Sequence, residues 1–167
     1  MTRMSYARFG AMVATSFVLM YALMYLNTFR VSHIQFSQTR LWMAVLMAAT
    51  MALLMLAFMW SMYSRRAANV AIGLLAIAVF AFALAQVRSQ RTVGDVSYMK
   101  AMIPHHSIAV LTSTRARIRD PRVRKLADGI LEAQVREISE MKALIADLER
   151  NPPPADAPVL EARRAGQ

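Results

Sequence analysis

The sequence predicts an all-α chain: three transmembrane helices followed by a two-helix hairpin that dimerisation completes. Three observations predict it. Residues 9–26, 41–60 and 67–87 are uncharged apolar runs of eighteen, twenty and twenty-one residues, each long enough as a helix to cross a hydrocarbon core. All ten acidic residues lie at or after Asp95, whereas the first 94 residues hold eight Arg and no Lys. The chain therefore divides into an apolar, basic-flanked part (residues 1–91) and a charged part. Residues 92–150 of the charged part carry helical periodicity on both sides of one turn signal, Asp120–Pro121.

The net charge of +10 does not point to nucleic acid. Arg3, Arg8, Arg30, Arg40, Arg65, Arg66, Arg88 and Arg91 all lie just outside the apolar runs, where lipid headgroups account for them. Trp42 and Trp60 bracket the second run at the positions of an aromatic belt. No small-x-small cleavage site follows the first run, so it is expected to be an uncleaved anchor and not a signal peptide. The flanking arginines divide four and four between the two sides. The basic start of the first span then favours an inside N-terminus and an outside C-terminal hairpin, that is, a bacterial inner-membrane protein with a periplasmic domain. The absence of cysteine excludes disulfides, thiolate catalysis and iron–sulfur clusters, and leaves methionine as the only soft ligand.

In the hairpin, Asp95 after Gly94 is a candidate cap for the first helix. Asp120 followed by Pro121 starts the second. Asn151 and Pro152–Pro153–Pro154 end it, and residues 151–167, without an apolar period, are expected to be a disordered tail. Pro104 inside the first helix predicts a kink or a break. The second helix shows a heptad seam over Val123, Ala127, Ile130, Gln134, Glu137, Met141, Leu144 and Leu148, interrupted in its middle by two polar residues.

Two of the three histidines, His105 and His106, are adjacent in the first helix. Met99, Met102 and His106 are spaced to share one helical face. Folding the hairpin about Arg119–Asp120 brings the histidine pair level with Gln134 and Glu137, and Met99 and Met102 level with Ile138 and Met141. Thioethers beside imidazole suit Cu(I), and imidazole also suits Cu(II). The opposing reading is structural: a core histidine bonded to a glutamate can simply hold two helices together, and spacing alone weighs the two equally. Glu137 as a general base is the weaker idea, since no nucleophile or oxyanion site accompanies it. The chain is accordingly not expected to be an enzyme.

The run Asp95–x3–Met99–x2–Met102–Ile103–Pro104–His105–His106–x2–Ala109, with Asp120–Pro121, Leu126–Ala127 and Gln134–x2–Glu137–Ile138–x2–Met141, resembles the domain of unknown function 305 family over residues 95–148. The resemblance implies a ferritin-like helical fold and, as for some periplasmic members, copper binding and resistance. It implies Met99, Met102, His105, His106 and Met141 as copper ligands, with Gln134, Glu137 and Asp95 as further ligands or as supports hydrogen-bonded to them. Soluble members usually carry a secretion signal and often more than one such unit. This chain has three spans and one unit, which implies a membrane-linked role and a site completed by a second copy. Copper-handling proteins are the implied further partners.

Met43, Met47, Met51, Met55 and Met59 recur every fourth residue through the second span, and Met20 and Met24 repeat that spacing in the first. Three-span copper importers carry a Met-x3-Met in their second span, and the likeness is limited to that spacing. The row is read as packing, with a Cu(I) conduit as the alternative. A metal-free interaction or sensor module is the remaining one. His33, between the first two spans, is expected to be solvated, and Gly73 to permit close helix approach.

Overall fold

The computed structural model describes residues 5–154 and 156–161. Among them are five α-helices and no strand: α1 Tyr6–Leu23, α2 Gln38–Phe58, α3 Arg66–Ser89, α4 Asp95–Arg115 and α5 Pro121–Leu148. From residue 151 to 154 and from 156 to 161 the chain is irregular and exposed. Arg3, residue 155 and the tail residues 162–167 lie outside the described residues.

The first three helices are long and apolar enough to cross a membrane. Their ends differ from the limits of the uncharged runs because caps, and not hydropathy, set where a helix starts. The Ser5 hydroxyl accepts a hydrogen bond from the Ala7 amide (3.2 Å), and Ser37 does the same for the Arg40 amide (3.2 Å). Each cap moves its helix start three residues before the apolar run. Helix α3 continues past residue 87 to Ser89, where Gln90 adopts a left-handed conformation (φ 51°) and ends it. Trp60 lies beyond α2, in a single 3-10 turn over Trp60–Met62.

Helix α2 is central and packs on both α1 and α3. It does so with a row of small residues, Ala44, Ala48 and Ala52, extended by Leu56, all buried. Gly73 of α3 faces this row, but a Cβ there would stand 3.5 Å from Leu56 Cδ2, an ordinary contact. The close approach expected from this glycine is therefore not one that only glycine allows. Val18, Leu74 and Phe58 are 60%, 63% and 87% exposed, so the apolar side chains outnumber what the helices bury among themselves. That surface suits hydrocarbon and not water.

The methionine row runs beside the alanine row, one residue earlier in each turn. Met43 and Met51 are exposed, and Met47, Met55 and Met59 are partly buried. The row thus lies along a helix flank. Changing Met47, Met51 and Met55 together to leucine is expected to leave insertion and copper tolerance intact, at a cost under about 1.5 kcal/mol per swap. Copper accumulation in cells at matched expression checks this; loss of the copper phenotype with normal insertion would favour a conduit.

At the end of α1 distal to the hairpin, a polar knot joins all three helices. The Tyr6 hydroxyl donates to Asn69 Oδ1 (2.8 Å), and Asn69 Nδ2 donates to the Trp60 carbonyl (3.3 Å). Asn69 is fully buried, and its two bonds satisfy an amide that would otherwise be costly there. Tyr63 stacks on Tyr6 and meets Phe9 edge-on.

Helices α4 and α5 form the expected hairpin. Asp120 caps α5 through the Arg122 and Val123 amides, with Pro121 in the first turn. Gly94 occupies the cap position of α4, and Asp95 falls one residue inside the helix. Helix α4 runs unbroken through Pro104, against the expected break. Pro104 is fully buried, so packing holds the helix through the missing backbone bond. The hairpin core is Met99, Ile103 and Val110 of α4 against Ile138, Met141 and Ile145 of α5, with Leu131 and Leu148 at its edges. The α5 seam therefore runs through 131, 138 and 145 together with the shared positions 127, 141 and 148. Val123, Ile130 and Leu144 of the anticipated seam are instead 50%, 40% and 46% exposed. The apolar stripe of α5 is wider than one partner helix can cover, and α4 takes one side of it.

The hairpin is also fixed to the segment between α1 and α2. Ser107, fully buried on α4, accepts from the Phe29 amide (2.7 Å) and is hydrogen-bonded to His33 Nδ1 (2.9 Å). His33 is buried, not solvated as its place in a loop suggested. Burial lowers its pKa, and the charges of Lys142 and Arg30 lower it further.

Candidate metal centre

One open cleft of about 430 Å³ runs along the hairpin. Helix α4 lines it with Asp95, Tyr98, Met99, Met102 and His106, positions that recur every three or four residues and so share one face. Helix α5 lines the other wall with Glu137, Glu140, Met141, Leu144 and Leu148 by the same rule. The three thioethers and one imidazole anticipated from spacing thus border a single space.

His106 crosses between the helices. Its Nε2 lies 2.7 Å from Glu137 Oε2, and its Nδ1 lies 3.0 Å from the Met102 carbonyl. The first contact establishes the register foreseen by folding the hairpin at Arg119–Asp120. The His106 side chain is 12% exposed and that of Glu137 41%, so the glutamate stands nearer the cleft mouth. A carbonyl only accepts, so Nδ1–H donates to Met102, and the 2.7 Å contact at Nε2 holds one further proton, which a metal bound at Nε2 would displace.

The remaining anticipated residues separate. His105 is exposed and borders neither the cleft nor Glu137; its ring centre is 6.0 Å from that of His106. Consecutive helical residues point about 100° apart, so an adjacent histidine pair cannot serve one face equally. Gln134 is half-buried but does not line the cleft. Asp95 is exposed at the cleft end. Tyr98 and Glu140 line it without having been singled out. Their signal was available, since each is a neighbour, on the same face, of a proposed ligand.

Among the described residues no three His, Asp or Glu side chains gather closely enough to hold a metal by themselves. A hard-cation cage of carboxylates is therefore not formed. The donors that border the cleft are three thioethers and one imidazole, with the carboxylates of Asp95, Glu137 and Glu140 beside them; thioether with imidazole is a set that suits copper.

Fold and cleft together define a helical hairpin with a methionine–histidine groove, carried after three long apolar helices. Residues 95–166 match the family model described as Domain of unknown function (DUF305). This C-terminal region of the chain belongs to that family. An uncharacterized protein of Acanthamoeba polyphaga mimivirus is 34% identical over 74 residues, covering 43% of this chain and 49% of the viral one. The chain thus spans about half the length of this curated relative. No solved structure matches the chain significantly.

Proposed function

We propose that this chain is a membrane-anchored periplasmic copper-binding protein that acts in copper tolerance or delivery and not as an enzyme. The observation that carries the reading is the convergence of Met99, Met102, Met141 and His106 on one cleft. Copper bound there would be held through His106 Nε2 and the thioethers, with Glu137 released to the rim as a further ligand or a support. Three thioethers would favour the reduced ion. A second copy is the natural cover: Tyr98 is 55% exposed and Leu126 65%, and the uncovered α5 stripe adjoins the cleft. Two hairpins would make a four-helix bundle with the cleft inside.

The His106–Glu137 bond also favours a second reading, in which it holds the hairpin together without metal. Copper content and competition with a chromophoric chelator decide between them, using the detergent-purified full chain. Met99→Leu, Met102→Leu and Met141→Leu together keep the volume and remove every sulfur from the cleft. Copper affinity is expected to fall by about tenfold or more for the triple variant. Unchanged affinity would leave the structural reading standing.

Orientation has its own test. A reporter fused after Leu148 is expected to be active as a periplasmic phosphatase and dark as a cytoplasmic fluorophore. The reverse pattern would place the hairpin inside and remove the periplasmic role.

A further inference from the structure

A second concavity, of about 170 Å³, lies where the α1–α2 segment meets the hairpin. It is lined by Arg30 and His33 of that segment and by Val110 of α4, and by Ser139 and Lys142 of α5, and no carboxylate lines it. None of the four ion pairs among the described residues includes Arg30, His33 or Lys142. Elsewhere the hairpin does neutralise its cations: Lys100 is paired with Glu149 and Arg124 with Asp128. His33 Nδ1 is committed to Ser107, which leaves Nε2 as the ring nitrogen without a protein partner.

Two cations, Arg30 and Lys142, brought beside one hollow repel each other and disfavour charge on His33 between them, and this persists unless a negative charge joins them. We propose that Arg30, His33 and Lys142 form a binding site for a phosphate oxyanion, supplied by the headgroup of a bilayer lipid or by free phosphate. Arg30 and Lys142 are exposed and can close on the anion from two different elements. His33, in the wall, would donate from Nε2, and the Ser139 hydroxyl stands on the same lining. The segment 24–37 joins the ends of two apolar helices, so the hollow lies at the level where lipid phosphates would be found. Bound anion would offset the charges of Lys142 and Arg30, which add to burial in lowering the His33 pKa, and would tie α5 to the α1–α2 segment. The lipid source rests on the membrane reading; the free-phosphate source does not, and neither depends on copper.

The test uses the full chain in maltoside micelles, which contain no phosphate, and follows the His33 imidazole resonance, assigned with His33→Gln. Inorganic phosphate and short-chain phosphatidylglycerol are added in separate titrations. A saturable shift is expected, weakened roughly tenfold or more by Arg30→Gln with Lys142→Gln. Saturation at lower phosphatidylglycerol than phosphate assigns the lipid, and the opposite order assigns the free ion. Should the double variant lose its fold, Lys142→Gln alone, on the exposed face of α5, reports the same loss. No saturable shift with either anion, or unchanged affinity in a folded variant, overturns the site.

Discussion

His106→Ala in the full chain is expected to lower copper affinity by about a hundredfold, while His105→Ala changes it less than about threefold. The two residues are neighbours in sequence and would be treated as one motif by spacing alone. In the fold only His106 borders the cleft and reaches Glu137 at 2.7 Å, and His105 is exposed. Removing the imidazole leaves three thioethers and takes away the single nitrogen donor. Competition against a chromophoric Cu(I) chelator measures both variants under one buffer. Equal losses in the two variants would mean that metal is held outside this cleft, for instance between His105 of two copies.

The second large effect concerns the hairpin core. Ile103 is fully buried between α4 and α5, beside Pro104. Ile103→Ala removes its contacts and leaves a cavity, which costs about 2–5 kcal/mol in a well-packed site. A two-helix unit has little else to hold it, so faster amide exchange along α5 is expected, with the three apolar helices unaffected. Leu126→Ala is the contrast. Leu126 is 65% exposed on the uncovered side of α5, and its loss should stay within about 0.5 kcal/mol in a single chain. A large effect of Leu126→Ala on chain association, and not on the fold of one chain, would identify that side as covered by another copy. Slow α5 exchange in Ile103→Ala would mean that the contact with the α1–α2 segment, and not the core, carries the hairpin.

Apolar run length was enough to find three helices, because a twenty-residue uncharged stretch has few other stable forms. It could not place their starts, which depend on single hydroxyls at Ser5 and Ser37. Asp120–Pro121 located the hairpin turn, and the turn then fixed which residues face each other. That is why His106 and Glu137 could be paired in advance. The α5 seam was read half correctly: positions 127, 141 and 148 belong to two overlapping heptad frames, and only the partner helix selects between them. The fate of Pro104 depended on burial, which a local rule does not see. Asn69 and Ser107 gave almost no signal. Asn69 is one polar residue in an apolar helix and Ser107 one of several small hydroxyls in α4, and the role of each exists only through partners elsewhere in the chain, Tyr6 and Trp60 for the first, Phe29 and His33 for the second.

The bond made by Ser107 has a geometric outcome for its neighbour. A domain tied to its base by one short connection, here residues 90–94 between α3 and α4, can swing about that connection. A second tie at the middle of α4 leaves no such pendulum. Because Ser107 is the next residue after His106, the second tie sits beside the imidazole proposed to hold copper. The groove is thereby anchored to the segment between α1 and α2 as well as to the end of α3. A visiting molecule that docks on those helices would meet the same thioether edge in every encounter, as a ship meets a quay and not a buoy.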